Sequence, residues 1–194
     1  MSEQTTSLRR NLRRYEWALV AVFMAVLIGA FMQRMQGLEA RAERAGFDLF
    51  VGTLRERIRI QNVVMLAGRQ GHRATDLAGS NPVGLFQADG PRPKWMEDTV
   101  PLEPPASYLG EVARLRGDVP APGEWVFARR SGVLAYRVRD RRGFGLSREE
   151  PDLLRFALAV DFVDRNGNGR FDAGSETARG LVLKALDNWR EAPL

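Results

Sequence analysis

Nine residues near the C-terminus, DRNGNGRFD, contain the residue types that bind calcium in loops built on regularly spaced side-chain oxygens. With Asp164 as the first position, the spacing matches the D-x-[DN]-x-[DN]-G pattern of calcium loops through the ninth position. The predicted side-chain ligands are Asp164, Asn166, Asn168 and Asp172, and Arg170 would contribute its backbone carbonyl. Hard oxygen ligands in flexible geometry favour Ca²⁺ over Mg²⁺, so calcium is the predicted cofactor.

The end of this segment leaves two interpretations open. Calcium loops usually close with a glutamate at the twelfth position, where this chain has Ser175, and Glu176 follows one residue later as the candidate closing ligand. Arg165 and Arg170 also reduce the negative potential of the loop. Because an Asn-Gly pair favours a type I′ hairpin turn, the segment is predicted either to bind calcium or to form an ion-free turn.

Three segments near the loop alternate apolar and polar residues with period two, as strands buried on one face do. They are GVLAYRVRD, LLRFALAVDFVD and GLVLKALDNW, and the candidate calcium loop lies between the second and the third. Successive strands of this kind predict an antiparallel sheet within residues 124–194. The predicted inner face consists of Leu134, Tyr136, Val138, Leu154, Phe156, Leu158, Val160, Phe162, Leu181, Leu183 and Ala185.

A long amphipathic helix is predicted over residues 34–70, where no proline interrupts the chain. Residues 71–123 are rich in proline and glycine and predict an irregular connection to the sheet. The apolar stripe of the helix is the available cover for the apolar face of the sheet, so the predicted fold class is α+β. The stripe consists of Phe47, Phe50, Val51, Leu54, Ile58 and Met65.

The N-terminal part of the chain predicts a membrane anchor. The apolar run Trp17 to Met32 lies within a predicted transmembrane helix at residues 15–33, close to the ~20 residues that a bilayer span needs. Residues 1–14 carry four arginines before this run, which predicts a cytoplasmic N-terminus and a C-terminal region on the opposite side of the membrane. The alternative is a cleavable signal peptide with a cleavage site at Ala40-Arg41-Ala42.

The composition argues against catalysis and against nucleic-acid binding. The chain has no cysteine and His72 is its only histidine, which excludes multi-histidine zinc sites and thiol chemistry. No nucleophile motif, phosphate loop or pair of acids with distinct roles is present, so no enzymatic activity is predicted. A basic edge lacks interleaved aromatic residues and predicts a solvated strand face, with no nucleic-acid partner expected. It consists of Arg129, Arg130, Arg137, Arg139, Arg141 and Arg142.

These features together resemble type IV pilins and the pseudopilins of type II secretion. The segment YEWALVAVFMAVLIGAFMQ is similar to the start of a mature pilin helix, with Glu16 in the place of the family's glutamate at the fifth position. The stretches NPVGLF, PASYLGE, GEWVFARRSGVLAYRVRD and DRNGNG resemble minor pilin-like proteins of the mannose-sensitive haemagglutinin (MSHA) pilus system. Some pseudopilins bind a structural calcium ion near the C-terminus, which favours the calcium interpretation of the loop.

The resemblance implies a structural role in pilus biogenesis or in a related secretion pseudopilus. The expected partners are other pilin-like subunits, pilus assembly platform proteins and the lipid bilayer. The expected location is a single pass through the bacterial inner membrane, with the C-terminal domain in the periplasm. The alternative is a single-pass periplasmic binding or adhesion protein with a calcium-stabilised β domain, unrelated to pili.

The processing site of the family is altered in this chain. Prepilin peptidases usually cut after a glycine and leave phenylalanine as the new N-terminus, but the corresponding residues here are Asn11 and Leu12. The chain is therefore predicted to stay uncut. Without a nearby N-terminal amine, Glu16 would pair with Arg13 or Arg14, or would be satisfied by water at the membrane interface.

Overall fold

The computed structural model describes residues 3–67, 74–86, 103–115 and 119–187. Helix α1 spans Glu3–Leu66 and is followed by the short helix α2, Ala74–Leu77, and by a 3₁₀ turn at Pro82–Phe86. The remaining elements are β1 (Tyr108–Val112), β2 (Trp125–Ala128), β3 (Val133–Arg137), α3 (Arg141–Phe144), β4 (Leu153–Phe162) and β5 (Ala178–Ala185). The fold is α+β, with one long N-terminal helix and a C-terminal sheet, as predicted.

The chain divides into two compact units, one before and one after the boundary between Ala42 and Glu43. In the first unit every described side chain from Trp17 to Met35 is exposed, including apolar ones as large as Trp17 and Phe31. By length and composition alone, the helix that contains Trp17–Leu66 is long and apolar enough to cross a membrane. It is the one such helix among the residues that the structure describes.

In the second unit, residues 43–66 of α1 pack against the sheet through the predicted apolar stripe. Phe47, Phe50, Val51, Leu54 and Ile58 are all buried, and Met65 packs against them while partly buried. Burying side chains of this size stabilises the fold by about 1.5–3 kcal/mol each. The prediction of the stripe is therefore confirmed.

Phe47 is the centre of the contact between helix and sheet. Its ring stacks on Trp125 of β2 with centroids 5.3 Å apart, and it meets Phe144 of α3 edge-on at 5.0 Å. It also contacts Tyr136 of β3 at 5.1 Å and Phe156 of β4 at 6.1 Å. One helical side chain thus contacts three strands and α3, and these ring contacts hold this part of the helix against the sheet.

The sheet has five strands in the order β1-β2-β3-β4-β5. Strands β2 to β5 lie within residues 124–194 and pair antiparallel, as predicted for that range. The additional strand β1 pairs parallel with β2, so the sheet as a whole is mixed and not purely antiparallel. Strand β1 lies within residues 71–123, where an irregular connection was predicted. The chain between β1 and β2 is long enough to return to the starting end of the sheet, which is what parallel pairing requires.

The inner faces of the last three strands follow the predicted alternation. Tyr136, Phe156 and Leu183 belong to the buried core cluster, as do most of the other predicted inner-face residues, and Ala185 packs against it while partly buried. Val160 and Phe162, at the loop end of β4, are half-buried and lie outside this cluster. Strand β2 was not predicted, because Trp125–Ala128 is buried on both faces and has no period-two pattern.

A side chain of α1 fixes the beginning of β5. The amide of Asn62 accepts a hydrogen bond from the Leu181 N–H at 2.7 Å and donates one to the Leu181 carbonyl at 2.9 Å. Gly180 allows this approach, since a Cβ atom at that position would lie 2.8 Å from Cγ of Asn62. The strand that follows the candidate calcium loop is therefore anchored to the helix through paired backbone groups.

Candidate functional site

The candidate calcium loop connects the two longest strands of the sheet. Strands β4 and β5 pair from Phe156 opposite Ala185 to Phe162 opposite Ala178, with a shift of register between Asp161 and Phe162. Beyond the ladder, Val163 N–H donates to the Thr177 carbonyl at 3.3 Å. The two ends of the loop are thus held side by side by strand pairing that includes this irregularity, and the residues between them form a compact turn.

Asp164 organises the first half of the loop through backbone hydrogen bonds. Its Oδ1 accepts the Gly167 N–H at 2.7 Å, and its Oδ2 accepts the Gly169 N–H at 2.9 Å. Both glycines have positive φ, 71° and 70°, a conformation that glycine adopts without the steric cost of a Cβ. The hydrogen bond from Gly169, with further ones from neighbouring backbone amides, holds the pKa of Asp164 below its ordinary value.

Asp172 organises the second half of the loop through side-chain hydrogen bonds. Its Oδ2 accepts from Nδ2 of Asn166 at 2.8 Å and from Nδ2 of Asn168 at 2.9 Å. The amide oxygens of the same two residues accept backbone N–H groups, from Asn168 at 3.0 Å and from Arg170 at 2.7 Å. The structure therefore brings three of the predicted ligand side chains together directly, and Asp164 joins them through the glycine amides.

Glu176 connects the two ends of the loop through hydrogen bonds. Among the residues that the structure describes, it is the one buried charged side chain, with 8% of its surface exposed. Its Oε1 accepts the Arg165 N–H at 3.1 Å, and its Oε2 accepts the Asp172 N–H at 3.0 Å. The carboxylate thus ties the beginning of the loop to its end. The sequence suggested a closing ligand at this position but gave no sign of this bracing role.

The donor set fits a hard cation in chemical type. Two carboxylates and two amide oxygens lie in one short loop, and calcium prefers ligands of this kind. The geometry also satisfies these groups within the loop, because the amide N–H groups of Asn166 and Asn168 neutralise part of the charge on Asp172. No cluster of three or more His, Cys, Asp or Glu side chains suited to a metal occurs in the described part of the chain.

A second polar cluster joins α1 to the sheet and was not predicted. Oε1 of Glu43 accepts the Tyr136 hydroxyl at 2.8 Å and the Arg139 N–H at 2.6 Å, and its Oε2 accepts the Asp140 N–H at 2.9 Å. Burial, together with the hydrogen bond to Glu43, raises the pKa of Tyr136. In the sequence, Glu43 was simply one of many charges beside the apolar stripe.

Arginines of the predicted basic edge make contacts within the protein. Arg137 pairs with Asp152 at 3.1 Å, and Arg142 pairs with Asp140 at 2.6 Å. Arg141 donates to the carbonyls of Ser147 at 2.8 Å and of Glu150 at 2.6 Å, which closes the loop after α3. These guanidinium groups therefore have structural roles in the sheet and the loops beside it.

The predicted membrane-assembly residues lie at the beginning of α1. The backbone of Arg13, Arg14 and Glu16 belongs to the helix Glu3–Leu66, and their side chains lie outside the described part of the structure. His72 lies outside the described residues altogether. The proposed pairing of Glu16 with Arg13 or Arg14 therefore stays a prediction.

Comparison of the chain with protein-family models, with curated proteins and with solved structures gave no match.

Proposed function

We propose that the protein is a membrane-anchored, pilin-like component of type IV pilus biogenesis, of the MSHA kind or of a related secretion pseudopilus, with a structural role in assembly. The observation that carries the proposal is the continuous helix α1. Its exposed apolar part, from Trp17 to Met35, precedes a part that covers one face of the sheet. A pilin-like subunit needs the same two properties: a helix for the membrane and a folded head at its far end.

The anchor accounts for the proposed location. Four arginines before an apolar run favour a cytoplasmic N-terminus, and the sheet unit then lies in the periplasm. In the same proposal, the chain is not cut between Asn11 and Leu12. An uncut chain keeps four positive charges on the cytoplasmic side. Moving each of them to the bilayer centre costs about 2.5–3.5 kcal/mol on insertion scales. Such a subunit stays at the base of a fibre.

The candidate calcium loop is proposed to stabilise the sheet unit. Asp164, Asn166, Asn168 and Asp172 supply side-chain oxygens, and Arg170 supplies a carbonyl. A bound ion would neutralise the two carboxylates and hold β4 and β5 together at the loop end. Glu176 holds the two ends of the loop from beneath in this arrangement.

Deletion in the host bacterium tests the proposed function. Loss of surface fibres or of secretion, restored by the full chain but not by a chain lacking residues 17–32, is the expected result. Unchanged fibres and secretion would contradict the proposal. In that event, recovery of the protein with a small ligand or peptide would support a periplasmic binding or adhesion protein.

A further inference from the structure

The loop contains two Asn-Gly pairs, Asn166-Gly167 and Asn168-Gly169, and both are exposed. An asparagine followed by glycine is open to an intramolecular reaction. The backbone nitrogen of the glycine reaches the side-chain carbonyl carbon of the asparagine with little hindrance, because glycine has no Cβ. The structure gives both pairs the same environment, so the same chemistry is available at two adjacent positions.

The reaction is a deamidation in two steps. The glycine nitrogen forms a bond to Cγ of the asparagine, the bond from Cγ to Nδ2 breaks, and ammonia leaves with the proton of the backbone amide. A cyclic succinimide results. Water then opens the ring and gives aspartate or isoaspartate, so one amide and one water become one carboxylic acid and one ammonia.

Asp164 holds both attacking nitrogens. Its two carboxylate oxygens accept the N–H groups of Gly167 at 2.7 Å and of Gly169 at 2.9 Å. To attack Cγ, each nitrogen must lose its proton, and the negative charge of the adjacent carboxylate disfavours the amide anion that forms, while the hydrogen bond holds the nitrogen in place. Hydrogen bonds to charged groups are stronger than neutral ones, so the barrier to deamidation rises at both Asn-Gly pairs.

We propose that Asn166 and Asn168 are deamidation sites whose rate in the folded protein is set by the Asp164 carboxylate. One side chain thus suppresses the same modification at two positions. Loss of that carboxylate, or unfolding of the loop, exposes both asparagines to the reaction.

Modification at either site changes the second half of the loop. Nδ2 of Asn166 and Nδ2 of Asn168 both donate to Oδ2 of Asp172, at 2.8 and 2.9 Å. Deamidation replaces the Nδ2 donor by a carboxylate oxygen. A second negative charge then lies at hydrogen-bond distance from the carboxylate of Asp172. Repulsion between like charges then opens the loop, and each event lowers the net charge of the protein by one.

The test compares reaction rates in the full-length protein in detergent, at mildly alkaline pH and without added metal. Peptide mapping by mass spectrometry measures conversion at each pair with time, for the native chain and for the same chain unfolded in urea. In native wild-type protein, deamidation is expected to be at least about ten times slower than in the unfolded chain. Asp164→Ala is expected to bring the native rate close to the unfolded rate at both pairs.

Two controls separate local protection from general stability. Asp161→Ala removes an exposed carboxylate outside the hydrogen bonds of the loop and is expected to leave both rates unchanged. Asp164→Asn keeps an acceptor oxygen and is expected to give an intermediate rate. Near-ultraviolet circular dichroism shows whether each variant is folded at the start. Equal rates for native and unfolded wild-type protein, or a folded Asp164→Ala variant that reacts like wild type, would overturn the proposal.

Discussion

At the scale of single residues, the two aspartates of the loop have different tasks. Asp164 accepts backbone N–H groups, whereas Asp172 accepts the side-chain amides of Asn166 and Asn168. The sequence predicted both as equivalent calcium ligands. The spacing pattern identifies side chains that carry oxygen atoms, but it does not show which hydrogen bonds those oxygen atoms make in the folded protein. It also could not show that Glu176 is buried, since burial depends on how the loop folds around this side chain.

Calcium is expected to raise the thermal stability of the protein. An ion that binds the folded loop and not the unfolded chain stabilises the fold by about 2.7 kcal/mol at a hundredfold excess over Kd. Melting of the full chain in detergent, with millimolar calcium and then with chelator, measures the effect. Asp164→Ala should abolish the response, while Asp161→Ala should keep it. The same melting temperature with and without calcium would leave only the ion-free turn.

Stability should depend on pH through Asp164. Its pKa lies below the ordinary value of 3.8 because backbone amides, first that of Gly169, bond to the carboxylate. A carboxyl with a lowered pKa stabilises the folded state above its unfolded pKa, and this contribution disappears as the pH falls through the folded pKa. Wild type should therefore lose stability relative to Asp164→Asn below about pH 4, measured by urea unfolding. Parallel pH profiles for the two proteins would contradict this account.

Removing the Glu176 carboxylate, which connects the two ends of the loop, should destabilise the sheet unit. Glu176→Ala leaves the N–H groups of Arg165 and Asp172 without their acceptor and should lower the free energy of unfolding by about 1–3 kcal/mol. Ser175→Ala is the matched control at an exposed neighbouring position. Urea unfolding of both variants measures the difference. Equal stability of the two variants would show that the buried carboxylate does not hold the loop.

At the scale of elements, periodicity was informative where one face is buried and the other is not. The stripe of α1 and the alternation in β3, β4 and β5 follow this rule, except at the loop end of β4, where Val160 and Phe162 are only half-buried. Strand β2 is buried on both faces, and β1 contains Gly110 and exposed Leu109, so neither shows a clear pattern. The parallel pairing of β1 with β2 depends on the path of the chain between the two strands, which local patterns do not encode.

Asn62 and Gly180 should behave as a coupled pair. Asn62→Ala removes the partner of the Leu181 N–H and carbonyl and should cost about 1–3 kcal/mol. Gly180→Ala should cost more, since its Cβ would collide with Asn62 and its φ of 154° strains any other residue. The double variant should be less destabilised than the sum of the two, because Asn62→Ala makes room for the Cβ. Urea unfolding of all four proteins completes the cycle.

Strict additivity in that cycle would contradict the contact between Asn62 and Gly180. Val63→Ala provides a control on the same turn of the helix, because Val63 is exposed and should contribute little.

At the scale of the whole molecule, the chain combines an exposed apolar helix with a folded unit that has its own core. Among the side chains that the structure describes in the first unit, those from Trp17 to Met35 are all exposed, and in the proposed function a lipid bilayer or the helices of other subunits cover them. The apolar run after the arginines is a local signal, so a helix long and apolar enough to span a membrane could be predicted from the sequence alone. Insertion into a membrane, the orientation there and the partners belong to the proposal.

The intact mass of the protein extracted from membranes tests the central claim. The claim is that the chain is not cut and that its N-terminal helix anchors it in the membrane. The account predicts the mass of the complete chain, 21.8 kDa, in the membrane fraction. A chain that begins at Leu12 would contradict it and would indicate a processed subunit able to enter a fibre. A soluble chain that begins after Ala42 would instead show that the apolar run is a cleaved signal peptide.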